Sequence, residues 1–250
     1  MRLLERVYLV GSGNLGFDLT DPYDCHIYAL DGGDEIALVD TGSGMATQAV
    51  LDNVTRDGLD PTRIRHLVLT HGHADHVGGA SGLRRLLDEP AVYISSAVAD
   101  PLRRGDASAL SVDVAKSAGR YPRDYPLEPC EVDVELRDGA AITVGELQLE
   151  VLATPGHSSG DVCLLLSQNG ERVLFPGDLI FYGGAVLLQN MWDARLEDLI
   201  RSLRRLRAVG ANALLPGHLT VTLSDGQRHI ERANQMLDVL RIPDQLAIPW

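Results

Sequence analysis

Cysteine is scarce in this chain. Only Cys25, Cys130 and Cys163 occur in 250 residues, widely spaced and without a C-x-x-C pair. That odd, scattered set excludes a disulfide scaffold and leaves three free thiols, buried or half-buried, in a reducing compartment. A long apolar run is also missing. The first residues are interrupted by Glu5 and Arg6, so they form neither a secretory core nor a membrane span. The expectation is a cytoplasmic protein without a membrane partner. No 20–50-residue repeat and no low-complexity segment occurs, which excludes a solenoid or an array. Positive charge is in short supply: 22 Lys and Arg against 35 Asp and Glu give a formal net charge of −13. Nucleic-acid surfaces need clustered cations, so a nucleic-acid partner is not expected. What is present is globular, 45% hydrophobic and 23% charged, enough for one domain over residues 1–250.

The eight histidines are distributed unevenly. Three fall in Thr70-His71-Gly72-His73-Ala74-Asp75-His76, directly behind the apolar run Leu67-Val68-Leu69. Neutral imidazole and carboxylate are ligands that zinc and related metals accept. Four such groups this close would repel and desolvate one another without a cation among them. Two further histidines have near-identical surroundings, Thr154-Pro155-Gly156-His157 and Leu215-Pro216-Gly217-His218. Asp178 ends Val173-Leu174-Phe175-Pro176-Gly177-Asp178, and Asp40 ends Ile36-Ala37-Leu38-Val39-Asp40. Five times a short apolar run ends in His or Asp beside Gly. In sheets covered by helices, ligands collect beyond the carboxyl ends of strands, and Gly permits the tight turn there.

This set resembles the metallo-β-lactamase fold superfamily. Asp40, His71-x-His73-x-Asp75-His76, His157, Asp178 and His218 match its five-part signature in order. The resemblance implies an α/β fold, an αββα sandwich of two mixed β-sheets flanked by helices. It also implies two divalent metal ions, zinc first, with iron or manganese as alternatives. His71, His73 and His157 would hold one ion, and Asp75, His76 and His218 the other. Asp178 would bridge them, Asp40 would support from behind, and Asp75 would receive the proton.

Elsewhere the patterns alternate between strand and helix. Strands are expected at 6–10, 25–30, 36–40, 67–69 and 91–95, then at 131–136, 141–144, 147–153, 161–167 and 172–176. Helices are expected at 45–57, with Met45, Ala49 and Val54 inward, and at 78–88, with Leu83, Leu86 and Leu87 inward. Two more are expected at 194–209, with Leu196, Leu199, Leu203 and Leu206 inward, and at 225–240. Residues 96–129 break this rhythm. They carry two short helical stretches and the piece Tyr121-Pro122-Arg123-Asp124-Tyr125-Pro126, and they read either as a helical functional insertion or as ordinary surface helices. His26 reads as a hydrogen-bonded structural histidine, and His66 and His229 as surface residues.

The chemistry implied is metal-assisted hydrolysis of a small carboxylic ester, lactone or thioester. The alternatives are an amide hydrolase of the β-lactamase kind and a mononuclear-iron oxidoreductase resembling the persulfide dioxygenases. Tyr182 is a candidate catalytic residue, because lactonases of the superfamily place a tyrosine three residues after the bridging aspartate. Here that position is Phe181, and the tyrosine comes one later. Residues 181–192 are unusually apolar for a connection (Phe181, Tyr182, Val186, Leu187, Leu188, Met191 and Trp192). With 96–129 they are expected to cover a small-molecule substrate; the other reading is that they pack on each other or make a homodimer contact.

Overall fold

The computed structural model describes residues 1–246. Its chain forms two compact units, Met1–Leu136 with Thr143–Leu147, and Arg137–Ile142 with the chain from Gln148 onward.

The first unit is built on a seven-stranded sheet. β1 (Arg2–Leu4), β2 (Val7–Gly11), β3 (Ile27–Asp31) and β4 (Ile36–Val39) form an antiparallel meander. β5 (Ile64–Val68), β6 (Ala91–Ser95) and β7 (Val134–Leu136) then add in parallel, so the sheet is mixed. Parallel neighbours need crossovers. α1 (Thr47–Arg56) supplies one, and α2 (Ala74–Val77) and α3 (Ala80–Leu86) supply the next. α1 stops where Gly58 takes φ of +82°, a left-handed conformation that costs glycine least. Its buried face runs through Val50, Leu51 and Val54, while Met45, expected inside, is exposed. On α3, Ala80 and Leu83 form the buried face, whereas Leu86, the last residue of the helix, is exposed.

Residues 96–129 contain α4 (Ala99–Arg104) and α5 (Val112–Ser117). Val98, Ala99, Leu102, Leu110, Val112 and Tyr125 are buried in the same core as β4 and β5, so this segment is integral to the unit.

A five-stranded sheet in the order β12-β11-β10-β9-β8 belongs, apart from its residues within Thr143–Leu147, to the second unit. β8 (Ala141–Val144), β9 (Leu147–Ala153), β10 (Val162–Gln168) and β11 (Glu171–Phe175) follow in sequence, with β12 (Ala213–Leu214) at the edge. β10 is antiparallel to both β9 and β11, and β12 is parallel to β11. β9, β11 and β12 therefore point the same way and end at one edge. α6 (Leu196–Leu206) covers this sheet with Leu199, Leu203 and Leu206 fully buried, as its spacing predicts. Glu197 and Asp198 sit in its first turn and Arg204 and Arg205 in its last, complementing the helix dipole. α7 (Gln227–Asp238) completes the layer with Ile230, Ala233 and Leu237 in the same core. Among the described residues no helix is long and apolar enough to cross a membrane.

Candidate functional site

In the first unit the candidate ligands stand beyond the carboxyl ends of β4 and β5. Asp40, the residue after β4, adopts φ of +61°. That turn aims its carboxylate at the loop after β5. Oδ1 accepts from the Thr70 amide at 2.8 Å, and Oδ2 accepts from the Thr70 hydroxyl at 2.9 Å and from His76 Nδ1 at 2.9 Å. The Thr70 hydroxyl, having donated to Asp40, accepts from His71 Nδ1 at 3.0 Å. One buried carboxylate thus fixes the proton of two imidazoles on Nδ1, His76 directly and His71 through Thr70. Both rings keep an Nε2 lone pair for a metal. His71, His73 and His76 are buried and close together, with ring centroids 4.7 Å apart for His71 and His73 and 4.0 Å for His71 and His76. Asp75 lies in the first turn of α2, its Oδ2 3.8 Å from His76 Nε2.

In the second unit His157, Asp178 and His218 follow β9, β11 and β12, the three strands that end at one edge. Gly156 permits the first of these turns, because a Cβ there would meet the Leu199 backbone of α6 at 2.5 Å. The Asp178 and His218 loops are tied together by the Gly217 amide donating to the Gly177 carbonyl at 2.9 Å. His157 Nδ1 donates to the Leu187 carbonyl at 2.8 Å, which again leaves Nε2 as the ligand atom. Asp178 Oδ2 lies 3.7 Å from His157 Nε2 and 3.5 Å from His218 Nε2. Asp161 braces this loop by accepting from the Ser158 amide at 2.7 Å and from the Ser158 hydroxyl. Burial raises the Asp161 carboxyl to about 6, against the hydrogen bonds from Ser158 that lower it.

The donor chemistry of both sets fits a divalent cation. In a tetrahedral zinc sphere with bonds of about 2.1 Å, neighbouring donor atoms stand about 3.4 Å apart. The three carboxylate–imidazole separations, 3.5, 3.7 and 3.8 Å, are close to that spacing and longer than a good charge-assisted hydrogen bond. Each set is backed by acceptors that hold imidazole tautomers.

The remaining candidates have other surroundings. Tyr182 is exposed, its ring 4.6 Å from His229 and the Arg228 guanidinium 6.0 Å over it. Its neighbour Phe181 is buried. Val186 and Leu187 are also buried and Leu188 packs on the same core, so most of the apolar 181–192 segment is packing; Trp192 remains exposed. His229, expected at the surface, is buried. Its Nδ1 accepts from the Gly183 amide at 2.9 Å, and Nε2 donates to the Thr222 hydroxyl at 3.0 Å. Its face of α7 is the inner one, which the mixed polar sequence of that helix conceals. His66, also expected at the surface, is half-buried between Tyr93 and Glu35. His26 is buried with Nδ1 3.0 Å from the Ser12 hydroxyl, as a structural histidine should be. All three thiols are buried and free. Cys25 stands beside Asp40 and His76, and burial pushes its thiol far up, away from thiolate.

A fold with this donor order defines a class. The metallo-β-lactamase superfamily model matches residues 20–218, and the chain belongs to that superfamily. Among its relatives, the acyl-coenzyme A thioesterase MBLAC2 of Bos taurus is 29% identical over 212 residues, covering 77% of this chain and 72% of the relative. An atrochrysone carboxyl ACP thioesterase of Aspergillus fumigatus is 28% identical over 217 residues, covering 86% of this chain and 56% of the relative. Among solved structures, a metallo-β-lactamase family protein of Thermus thermophilus is 27% identical with a TM-score of 0.73, covering 95% of this chain and 81% of that one. A metallo-β-lactamase of Cronobacter sakazakii has a TM-score of 0.73 at 20% identity, covering 96% and 95%, and shows likeness of fold. The α/β fold of two mixed sheets flanked by helices, implied by the resemblance, is borne out.

Proposed function

We propose that this protein is a metal-dependent hydrolase of acyl thioesters, with His71, His73, Asp75, His76, His157, Asp178 and His218 holding two divalent ions, zinc first. The observation that supports the metal reading is the buried Asp40 carboxylate that sets the Nδ1 protons of His71 and His76, an arrangement that leaves their Nε2 lone pairs for a metal. The thioester bond is supported by relatives of 28–29% identity that are thioesterases by name.

Bound there, divalent ions supply Lewis acidity and lower the pKa of water toward neutrality. The residues do the rest. Asp75, with Oδ2 facing His76 Nε2, takes the proton from the attacking water and returns it to the leaving thiolate. The water oxygen adds to the carbonyl carbon and the carbon–sulfur bond breaks. Asp178, between His157 and His218, balances the cationic charge. Tyr182 and Trp192, exposed on the connection after Asp178, are proposed as contacts for the acyl portion.

The test is a panel of acyl-thioester, oxyester, lactone and β-lactam substrates with metal-analysed protein. Thioester turnover that disappears with chelator and returns with zinc is expected. A single iron per chain, or β-lactam turnover exceeding thioester turnover, would overturn the assignment.

A further inference from the structure

The Tyr-Pro piece at 121–126 has no part in the reading above, yet it reaches Asp75. The Tyr121 hydroxyl donates to Asp75 Oδ1 at 2.8 Å and accepts from the Asp75 amide at 3.1 Å. Both contacts fall on one residue, 46 positions away in sequence. The amide contact has a structural cause. Asp75 is in the first turn of α2, where amides lack an intrahelical acceptor. The residue before that helix, His73, makes no side-chain cap. Tyr121 provides the missing acceptor from another segment.

The carboxylate contact follows from the same placement. With Oδ1 engaged by the phenol, the other oxygen, Oδ2, is the one 3.8 Å from His76 Nε2. The Tyr121 ring is itself held in place. It stacks on Tyr125 with centroids 4.9 Å apart and planes at 24°, and Tyr23 lies 6.0 Å from it. Tyr125 is anchored in turn by its hydroxyl, which donates to the Ser43 carbonyl at 2.6 Å.

We infer that Tyr121 is a positioning residue: its hydroxyl clamps Asp75 so that a single carboxylate oxygen, Oδ2, is presented for metal binding and proton transfer. This gives 96–129 a role beyond packing. It rests on the proposed metal reading but not on the identity of the substrate.

The test compares Tyr121→Phe with Tyr125→Phe, each removing one hydroxyl from the same stack. Zinc affinity is measured for both equivalents by chelator competition, visible spectra are recorded after cobalt substitution, and unfolding is followed in the metal-free proteins. Tyr121→Phe is expected to weaken one of the two equivalents 10–100-fold, the usual cost of losing a partner behind a ligand. It should also shift the cobalt bands of that equivalent and lower kcat with KM within about twofold. Tyr125→Phe keeps the ring on which Tyr121 stacks and should change metal affinity and cobalt spectrum far less than Tyr121→Phe. Identical metal binding in Tyr121→Phe and wild type would overturn the inference, as would equal losses in both variants, which would mean the segment acts only as scaffold. If Tyr121→Phe proves too unstable to load, Tyr121→His, which retains a ring donor, must recover affinity for the inference to stand. Absence of thioester turnover in the wild type alongside these metal effects would defeat the substrate assignment alone. No metal uptake by the wild type would defeat the metal reading itself.

Discussion

Asp40→Asn tests the metal reading where the geometry is most constrained. The substitution preserves size, and asparagine tolerates the left-handed backbone that Asp40 adopts at φ of +61°. The amide oxygen can keep the bond from the Thr70 amide at 2.8 Å. The amide nitrogen then lies where Oδ2 was, facing the Thr70 hydroxyl and His76 Nδ1, both 2.9 Å away. A nitrogen there donates. His76 must become an acceptor at Nδ1 and move its proton to Nε2. The Thr70 hydroxyl also lies 3.1 Å from Oδ1, so it can keep donating to the amide oxygen while accepting from His71 Nδ1, 3.0 Å away, and the His71 tautomer is held. One oxygen-to-nitrogen exchange would thus place a proton on the candidate ligand atom of His76. Folding loses little, because the bonds are re-made as neutral ones, at about 1–3 kcal/mol in all. Metal binding loses a comparable amount at the ion served by His76: 10–100-fold is about 1.4–2.7 kcal/mol.

Chelator competition on the two metal equivalents, with thermal unfolding of the metal-free protein and nitrogen NMR of the imidazoles, reads all three quantities. The equivalent to which His76 is assigned should weaken more than the other. The metal-free protein should unfold within a few degrees of the wild type. Unchanged affinity for both equivalents, with Nδ1 still protonated, would show that Asp40 only stabilises a turn.

Three further outcomes are expected. Asp178→Asn should lose one metal equivalent and nearly all turnover, because a neutral amide cannot balance two dications; full metal content by elemental analysis with normal kcat would refute the bridging role. His229 is neutral in the fold and its pKa is lowered, first by burial and then by Arg228 and Arg232. The unfolded chain therefore takes up the proton first as pH falls through about 6.5, and stability that is present above that value is lost below it. His229→Gln should unfold with a flatter pH dependence between pH 7 and 5, and parallel profiles would refute the linkage. Trp192→Ala should raise KM for the best thioester with metal content unchanged; wild-type kinetics with an altered elution volume on a sizing column would make Trp192 an oligomer contact instead.

Much of the fold was legible because burial leaves a periodic trace. β4 and β10 are buried on both faces and read as continuous apolar runs, whereas β8 and β9 alternate. α6 shows its leucine stripe because its other face carries Arg and Glu without interruption. Legibility failed where burial is polar. His229 looks like a surface residue in a helix rich in Arg, Glu and Gln, and only the Gly183 amide and Thr222 hydroxyl facing it explain its place inside. The apolar 181–192 connection is ambiguous in the opposite direction, with Phe181, Val186 and Leu187 buried and Tyr182 and Trp192 exposed. A loop that is apolar because it seals a core and one that is apolar because it meets a substrate have the same composition.

The candidate site divides along the same line. Its donors are legible because each stands one turn beyond a strand, and a strand followed by Gly and His or Asp is a local pattern. What would orient those donors toward a metal is not local. Thr70 adjoins His71, yet its hydroxyl matters only because Asp40, 30 positions earlier, receives its proton. Leu187 orients His157 through a backbone carbonyl, which no side-chain pattern can signal. Tyr121 is 46 positions from Asp75 and belongs to a segment whose composition marks it only as irregular. A sequence can therefore carry every candidate donor of this set and still bind metal weakly, if these distant partners are lost. Substitutions at Asp40, Thr70 and Tyr121 separate donor content from donor orientation, which replacing His71 or His157 cannot do.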